Sequence, residues 1–224
     1  MKDFSDFLLD GPPKKDIDQK ERVKILTSFY EKSPLPEGPS LDSLIRRSNQ
    51  PPFACYFDTL DNLESIKAVL NNVEISFVIC REISVARDVL KPLLLESKKP
   101  VWFVLEDRDE VSIIERRLQG FSGYFVPLAL FEDVMSLQFQ LEFGRDFGLE
   151  SGICALGGGD LELVQQLDCR VVRVAGNTSH QSLSVLANTR CLVLTVEDDW
   201  DPNAASLNHK FGIQLDINNL DLDT

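Results

Sequence analysis

The chain has 224 residues, of which 43% are hydrophobic and 26% charged, as in a globular protein with a substantial core. Its formal net charge is -13 and its pI is about 4.6. An acidic surface of this kind disfavours nucleic acids and anionic membranes as partners, because both bind basic surfaces.

Targeting signals are absent from the sequence pattern. No apolar run approaches the roughly 20 residues of a membrane-spanning helix. The start, MKDFSDFLLDGPPKKDID, lacks the apolar stretch and cleavage site of a signal peptide. The five cysteines are odd in number, far apart and mostly within apolar runs, which is typical of buried thiols in a reducing compartment. We therefore predict a cytoplasmic protein.

Residues 1–52 differ in composition from the rest of the chain. Prolines and glycines in GPPKK, SPLPEGPS and QPP interrupt two helical patches, Ile17–Tyr30 and Leu41–Arg47. Such frequent interruption is unusual in a packed domain. We predict a helical arm over residues 1–52, packed on a main domain over residues 53–224.

From Phe53 onward, strand-like and helix-like segments alternate. The apolar runs are FACYFD, ISFVIC, PVWFVL, GYFVPLA, GICAL, RVVRVA, CLVLTV and GIQLDI. The amphipathic segments between them are Asn62–Asn71, Val85–Ser97, Asp109–Gln119, Glu132–Phe147, Leu161–Leu167, Gln181–Ala187 and Ala204–Lys210. Continuous apolar strands joined by helices are typical of a parallel sheet that helices cover.

Eight such units predict an α/β fold of the closed (β/α)8 type, the TIM barrel. The alternative is an open, doubly wound sheet, which usually has five or six strands. With 224 residues the barrel would be small for its class, which typically takes about 250.

In such a barrel the chemistry is located where the strands end. The predicted strand ends are rich in carboxylates, namely Asp58, Glu82, Glu106, Asp107, Glu197 and Asp198. Arg81, Glu82, Glu106 and Glu197 are our candidate catalytic residues, because their opposite charges could supply a proton donor and an acceptor. The acidic rim could instead bind a divalent cation, although no ligand spacing supports this and we predict no metal site.

A run of glycines follows the fifth predicted strand. Gly157, Gly158 and Gly159 could turn their backbone amides toward an anion, or could form a simple turn before a helix that Asp160 caps. With Asn177, after the sixth strand, these glycines are the predicted ligand-binding residues.

Other catalytic and cofactor motifs are missing. The two histidines, His180 and His209, lie in no motif with a nucleophile. The sequence has neither GxGxxG nor GxxxxGK[ST], so we predict no nucleotide cofactor and no other cofactor.

Between Lys99 and Val185 lie the segments PVWFVLE and ERRLQGFS, then GYFVPLALFEDVMSLQFQLEFGRDFGLE, then LDCRVVRVAGNTSHQSLSV. They resemble, in this order, the third strand and following helix, the fourth unit and the sixth unit of indole-3-glycerol-phosphate synthase, a (β/α)8 enzyme of tryptophan biosynthesis. An N-terminal helical arm is also a family trait. The resemblance implies the barrel fold and a carbon–carbon lyase reaction on a phosphorylated substrate.

The family's functional residues are replaced in this sequence. Val104 stands in place of the general-acid lysine of strand three, and Cys154 in place of the glutamate of strand five. The strand-one lysine falls on Phe57, or on Lys32 if EKSP is the motif. After strand six, Ala175, Gly176 and Asn177 replace the family's Asn-Asn-Arg, whereas Glu197 aligns loosely with the strand-seven glutamate.

Three hypotheses follow. The first is a divergent relative without the family's activity, a pseudoenzyme that binds a small ligand or a protein partner, including a second copy of itself. The second is a working synthase, or a related lyase or isomerase, with relocated catalytic groups. The third is a metal-dependent enzyme that uses the acidic rim.

Overall fold

The computed structural model describes residues 18–41, 53–60, 63–73, 75–83, 85–155, 158–167, 169–174, 192–196 and 211–216. Eight strands lie within these ranges, and each coincides with a predicted apolar run to within a few residues. In chain order they are β1 (Phe53–Leu60), β2 (Phe77–Ile83), β3 (Val101–Val104), β4 (Gly123–Pro127), β5 (Glu150–Ala155), β6 (Val171–Val174), β7 (Leu192–Val196) and β8 (Phe211–Asp216).

The strands form a closed barrel in sequence order, and every neighbouring pair is parallel. The barrel closes because β8 pairs with β7 on one side and with β1 on the other, where Asp216 is the register partner of Tyr56. The predicted (β/α)8 fold is therefore confirmed. In the alternative, an open doubly wound sheet, the first and last strands would not pair.

Six α-helices lie within the described ranges. They are α1 (Gln19–Lys32), α2 (Leu63–Asn71), α3 (Arg87–Glu96), α4 (Glu110–Leu118), α5 (Val134–Phe143) and α6 (Gly158–Val164). Helix α6 begins at Gly158, before the predicted start at Leu161, and Asp160 lies in its first turn rather than at its cap. The predicted helices at Gln181–Ala187 and Ala204–Lys210, and the patch after Leu41, lie outside the described residues.

Two helices begin at aspartates that cap them. The Asp109 carboxylate accepts hydrogen bonds from the Val111 amide at 3.0 Å and the Ser112 hydroxyl at 2.9 Å. At α5, Asp133 accepts from the Ser136 amide and hydroxyl, each at 2.7 Å. These bonds satisfy amides that have no partner within the first helical turn, so each aspartate fixes where its helix starts.

The core has two layers because side chains alternate across each strand. The outer layer lies between sheet and helices and includes Cys55, Phe57, Val78, Cys80 and Phe103. The inner layer fills the barrel with side chains of the alternate positions, namely Ala54, Phe77, Ile79, Trp102, Phe125, Cys154, Val171, Leu192 and Leu194. The barrel interior is thus packed rather than hollow, as in other barrels of this size.

Trp102 occupies the middle of the lumen. Its ring lies 5.0 Å from that of Phe125 and 6.0 Å from that of Phe77, measured between centroids. Gly123, on the neighbouring strand, makes room for it, since a Cβ there would lie 2.4 Å from a ring carbon of Trp102. The indole is fully buried.

The segment before the barrel packs against its outside and its floor. Leu26 of α1 is buried with Val111, Ile114 and Leu118 of α4. Farther along, Leu41 joins the inner layer, and its amide donates to the Glu150 carboxylate at the start of β5 at 2.8 Å. These contacts join residues before β1 to the barrel, and the division of the chain into an arm over residues 1–52 and a barrel over residues 53–224 stays a prediction.

The described cysteines are Cys55, Cys80, Cys154 and Cys169, all buried thiols that form no disulfide with one another. Cys191 lies outside the described residues. No helix in the described part of the chain is long and apolar enough to cross a membrane.

Candidate functional site

The candidate site lies in the lumen near the C-terminal ends of the strands, where barrels of this class bind their substrates. Four side chains meet there, those of Tyr56 on β1, Val104 on β3, Cys154 on β5 and Arg173 on β6. Each occupies an inward position because it continues the alternation of the inner layer. Below them, Trp102 and Phe125 close the lumen toward the floor.

Arg173 crosses the lumen. From β6 it reaches the opposite wall, where its guanidinium carbon lies 4.6 Å from the centre of the Tyr56 ring. One guanidinium nitrogen, Nη1, also lies 3.8 Å from the Cys154 sulfur, to which it donates. A cation over an aromatic face gains electrostatic attraction and loses rotational freedom. The side chain is therefore held in one orientation across the mouth.

The Cys154 thiol is not poised as a nucleophile. Burial raises its pKa, and the nearby Arg173 guanidinium offsets that rise only in part. The thiol is accordingly protonated near neutral pH, whereas the thiolate is the reactive form. The guanidinium of an arginine is, as a residue type, suited to binding anions rather than to transferring a proton. The pair therefore favours binding over acid–base chemistry.

Two of the positions compared with the synthase family do lie in the lumen. Val104 and Cys154 both point inward at the C-terminal ends of their strands. Phe57 does not, because it packs in the outer layer with the helices. The inward position at that level of β1 is held by Tyr56, which packs against the inner layer.

The predicted catalytic residues are not brought together within the described residues. Arg81 and Glu82 are adjacent on β2 and both are exposed. Because Ile79 faces the lumen and Cys80 faces the helices, alternation puts Arg81 on the lumen side and Glu82 on the outer side. Glu106 is exposed just beyond β3. Glu197 lies outside the described residues, so its role stays a prediction.

The predicted ligand-binding residues are described only in part. Gly158 and Gly159 form the first turn of α6, directly after β5. Gly157 and Asn177 lie outside the described residues. The two glycines thus begin a helix that follows a barrel strand. Their role in ligand binding stays a prediction.

The rim also offers no metal site among the residues that the structure describes. There, no group of three or more His, Cys, Asp or Glu side chains converges closely enough to hold a metal ion. Glu106 and Asp107 are both exposed beyond β3. Asp198 lies outside the described ranges.

Two residues of the mouth, Tyr56 and Arg173, are not among the predicted site residues. They lie within the apolar runs FACYFD and RVVRVA. A signal was nevertheless present, since an arginine inside a buried parallel strand must either face a helix surface or enter the lumen. Period-two alternation from Val171 places it in the lumen.

Comparison with known proteins supports the fold. No protein-family model and no curated protein sequence matches the chain. Among solved structures, a mutant tryptophan synthase alpha-subunit from the hyperthermophile Pyrococcus furiosus is 11% identical, with a TM-score of 0.53 over 74% of this chain and 86% of that one. The tryptophan synthase complex of the same organism is also 11% identical, with a TM-score of 0.53 over 75% of this chain and 88% of that one.

A second enzyme is about equally similar. Triosephosphate isomerase from Bartonella henselae is 11% identical, with a TM-score of 0.52 over 74% of this chain and 92% of that one. Proteins with different names thus match this chain equally well. At such identities the likeness shows the shared (β/α)8 fold, and the fold alone.

Proposed function

We propose that this protein is a divergent barrel related to the indole-3-glycerol-phosphate synthases, that it does not catalyse their reaction, and that it binds a small anionic ligand at the mouth of the barrel. The observation that carries the proposal is the position of Arg173. It brings a fixed positive charge into the lumen beside Cys154, where the family has a catalytic glutamate.

The side chains at the mouth support binding over catalysis. The family's ring closure needs a proton donor and a proton acceptor on opposite sides of the substrate. Val104 carries no ionisable group, and burial keeps the Cys154 thiol protonated. An arginine, in contrast, suits recognition of carboxylate or phosphate, because its planar fork of N–H donors matches their oxygens.

Tyr56 supports the same role. Its ring lies under the guanidinium, so Arg173 does not need to be ordered when a ligand arrives. A preorganised cation binds an anion with less entropic cost than a mobile one. Alternation along β2 places Arg81 on the lumen side as well.

Calorimetric titration with inorganic phosphate and with the synthase substrate tests the proposal. We expect saturable binding to the wild-type protein, loss of at least about tenfold in affinity in Arg173→Met, as for a charged hydrogen bond, and no change in Arg145→Met, an exposed arginine outside the lumen. No turnover of the synthase substrate is expected. Turnover that Glu197→Gln abolishes would instead establish the second hypothesis, a synthase with relocated groups.

A scaffold role has one observation in its favour. The lumen is packed by Trp102 and Phe125, and Arg173 spans its mouth. Absence of binding by both phosphate and the synthase substrate at millimolar concentration would overturn the ligand-binding proposal and favour the protein-interaction role. Analytical sedimentation of the purified protein then tests for a second copy as the partner.

A further inference from the structure

A small polar pocket lies on the outside of the barrel, between α3 and α4. Its volume is about 200 Å³, and its lining residues are Val85, Arg87, Ser112, Glu115, Arg116 and Gln119. We infer that this pocket is a second binding site, separate from the mouth, and that it takes a phosphate group, either as free phosphate or as the phosphoryl group of a small metabolite. The lining includes none of the four side chains that meet at the mouth.

Helix α4 supplies most of the lining. The residues that it and its C-terminal cap contribute are spaced i, i+3, i+4 and i+7, as on one face of a helix, namely Ser112, Glu115, Arg116 and Gln119. Arg87, the first residue of α3, completes the pocket from the other side. Its Nη2 lies 3.3 Å from the Glu115 carboxylate, which joins the two helices across the pocket. The polar groups are therefore held by two elements of the fold.

The charges that line the pocket are not balanced. Two guanidiniums, those of Arg87 and Arg116, are present with a single carboxylate, that of Glu115. That carboxylate is also shared outside the pocket, because its other oxygen lies 3.5 Å from the Arg22 guanidinium of α1. The pocket is thus locally positive on a chain whose formal net charge is -13. A bound anion would offset the excess positive charge.

Arg116 is the half-buried cation of the pocket. Its Nη1 donates to the Gln119 side-chain oxygen at 3.3 Å, and no carboxylate in the described part of the chain forms an ion pair with it. Burial lowers the pKa of the Arg116 guanidinium, and the like charge of Arg87 lowers it further, whereas neighbouring acidic groups offset this only in part. An anion beside Arg116 would replace the solvation that burial removes.

Gln119 provides an independent sign of a ligand. This residue is 5% exposed and lines the pocket. Its side-chain oxygen accepts from Arg116, which leaves the amide nitrogen Nε2 as a donor, and this Nε2 has no acceptor among the described residues. A buried amide donor without an acceptor is costly. An oxyanion in the pocket would accept from Gln119 and Arg116 together.

The size and the donors of the pocket favour phosphate. Pockets for drug-sized ligands measure roughly 300–1,000 Å³, so about 200 Å³ suits a small group. Guanidinium groups match the oxygens of carboxylate and phosphate, and two of them together favour the ion with the higher charge. The Ser112 hydroxyl donates to the Asp109 carboxylate at 2.9 Å, so the donors that face a ligand are the two arginines and Gln119.

The start of α3 adds partial positive charge. Its N-cap is Ala86, which has no side-chain acceptor for the amides of the first turn. Val85 and Arg87, on either side of Ala86, both line the pocket. Amides without partners and the helix dipole favour an anion at such a position. This partial charge adds to that of the two guanidiniums.

Calorimetric titration of the Arg173→Met variant with inorganic phosphate tests the inference, because this variant lacks the arginine of the mouth. We expect saturable binding, and a loss of at least about tenfold in affinity when Arg116→Met is added, as for a charged hydrogen bond. Arg108→Met, at an exposed arginine outside the pocket, is the matched control and should leave the affinity unchanged. Absence of phosphate binding to Arg173→Met, or binding that Arg116→Met leaves unchanged, would overturn the inference.

The Nε–Hε resonances of arginine provide a readout that needs no substitution. In the wild-type protein, phosphate should shift the resonances of Arg87 and Arg116 and leave that of Arg108 in place. An unshifted Arg116 resonance at saturating phosphate would contradict binding in the pocket. Methyl phosphate distinguishes the two forms of the ligand. A site for a phosphoryl group should bind it about as tightly as phosphate, whereas a site for free phosphate should bind it more weakly, because one oxygen is blocked.

Discussion

The Arg117 Nε donates to the backbone carbonyl of Phe147 at 2.8 Å, although Arg117 is 1% exposed. The same guanidinium donates to the carbonyls of Phe121 at 3.3 Å, Leu35 at 3.3 Å and Pro36 at 2.8 Å. One buried cation thus joins α4 to the turn after α5 and to the segment that precedes the barrel. Carbonyl oxygens satisfy its charge by hydrogen bonds.

We predict that Arg117→Met lowers the free energy of unfolding by at least about 3 kcal/mol, because several buried carbonyls lose a charged donor at once. Arg117→Lys should recover only part of the loss, since an ammonium group has three donors and lacks the planar fork. Urea unfolding provides the measurement. Arg145→Met, at an exposed arginine on the turn after α5, should unfold close to the wild-type midpoint.

Glu115 illustrates the opposite case. Its carboxylate bridges Arg22 of α1 at 3.5 Å and Arg87 of α3 at 3.3 Å, but both arginines are partly exposed. We predict that Glu115→Gln costs no more than about 1 kcal/mol, because solvent screens such pairs. The difference from the wild-type protein should shrink in 1 M salt, at about which the Debye length falls to roughly 3 Å. A salt-independent difference would refute this explanation.

Replacement by alanine should destabilise the protein more at Gly123 than at Gly148. At Gly123 a Cβ would lie 2.4 Å from Trp102 and 2.7 Å from the Glu150 carbonyl, so overpacking should cost about 1–3 kcal/mol or more. Gly148 has φ of 72° but its nearest neighbour would be 3.6 Å away, so Gly148→Ala should cost only about 1 kcal/mol, from backbone strain.

Thermal unfolding of both variants compares the two costs. Gly148→Asn should be nearly neutral, because asparagine tolerates the left-handed region. A Gly123→Ala variant as stable as the wild-type protein would show that the lumen is less tightly packed than the Trp102 contacts indicate.

The buried thiol of Cys80 should lower the free energy of unfolding at alkaline pH. Burial raises the pKa of its thiol from 9.0 to about 12, and Arg116 offsets this only partly. The raised pKa means that above about pH 9 the unfolded thiol loses its proton while the folded one keeps it. The free energy of unfolding should therefore fall from pH 9 toward pH 12, by up to about 1.4 kcal/mol per pH unit from this thiol.

Urea midpoints of the wild-type protein and Cys80→Ala at pH 8, 9 and 10 test this. The variant should show a shallower decline than the wild-type protein. Val78→Ala is the matched control, since Val78 lies in the same outer layer of β2 and carries no titratable group. It should keep the wild-type slope even though its midpoint is lower at every pH. Tyr124 should steepen the decline in all three proteins, because burial also raises its pKa.

The barrel could be predicted from the sequence because each strand is a continuous apolar run and each crossover a separate amphipathic segment. The residues of the mouth could not be predicted as well. Whether Tyr56 or Phe57 faces the lumen depends on a shift of one residue, and both are aromatic. Register comes from pairing with β2 and β8, which no local pattern contains. Whether Arg173 faces the lumen depends likewise on the register of β6 with its neighbouring strands.

The segment before the barrel shows a second kind of limit. Its prolines and glycines predicted an arm, but not that Leu41 would join the inner layer or that Arg117 would bind the Leu35 and Pro36 carbonyls. These are contacts between residues far apart in sequence. Composition indicates that a segment is not an independent domain, whereas its partners depend on tertiary packing.

Glu150 binds the Ser40 hydroxyl at 2.7 Å and the Leu41 amide at 2.8 Å, across 110 and 109 residues of sequence. This contact imposes an order on folding. Residues at the floor of the barrel leave the ribosome first but cannot complete their contacts until β5 has been synthesised. The strands synthesised before β5 therefore lack the contacts of Ser40 and Leu41 with Glu150. Contacts between residues so far apart in sequence slow folding. Nascent chains that end before β5 should therefore depend more on chaperones than the completed chain does.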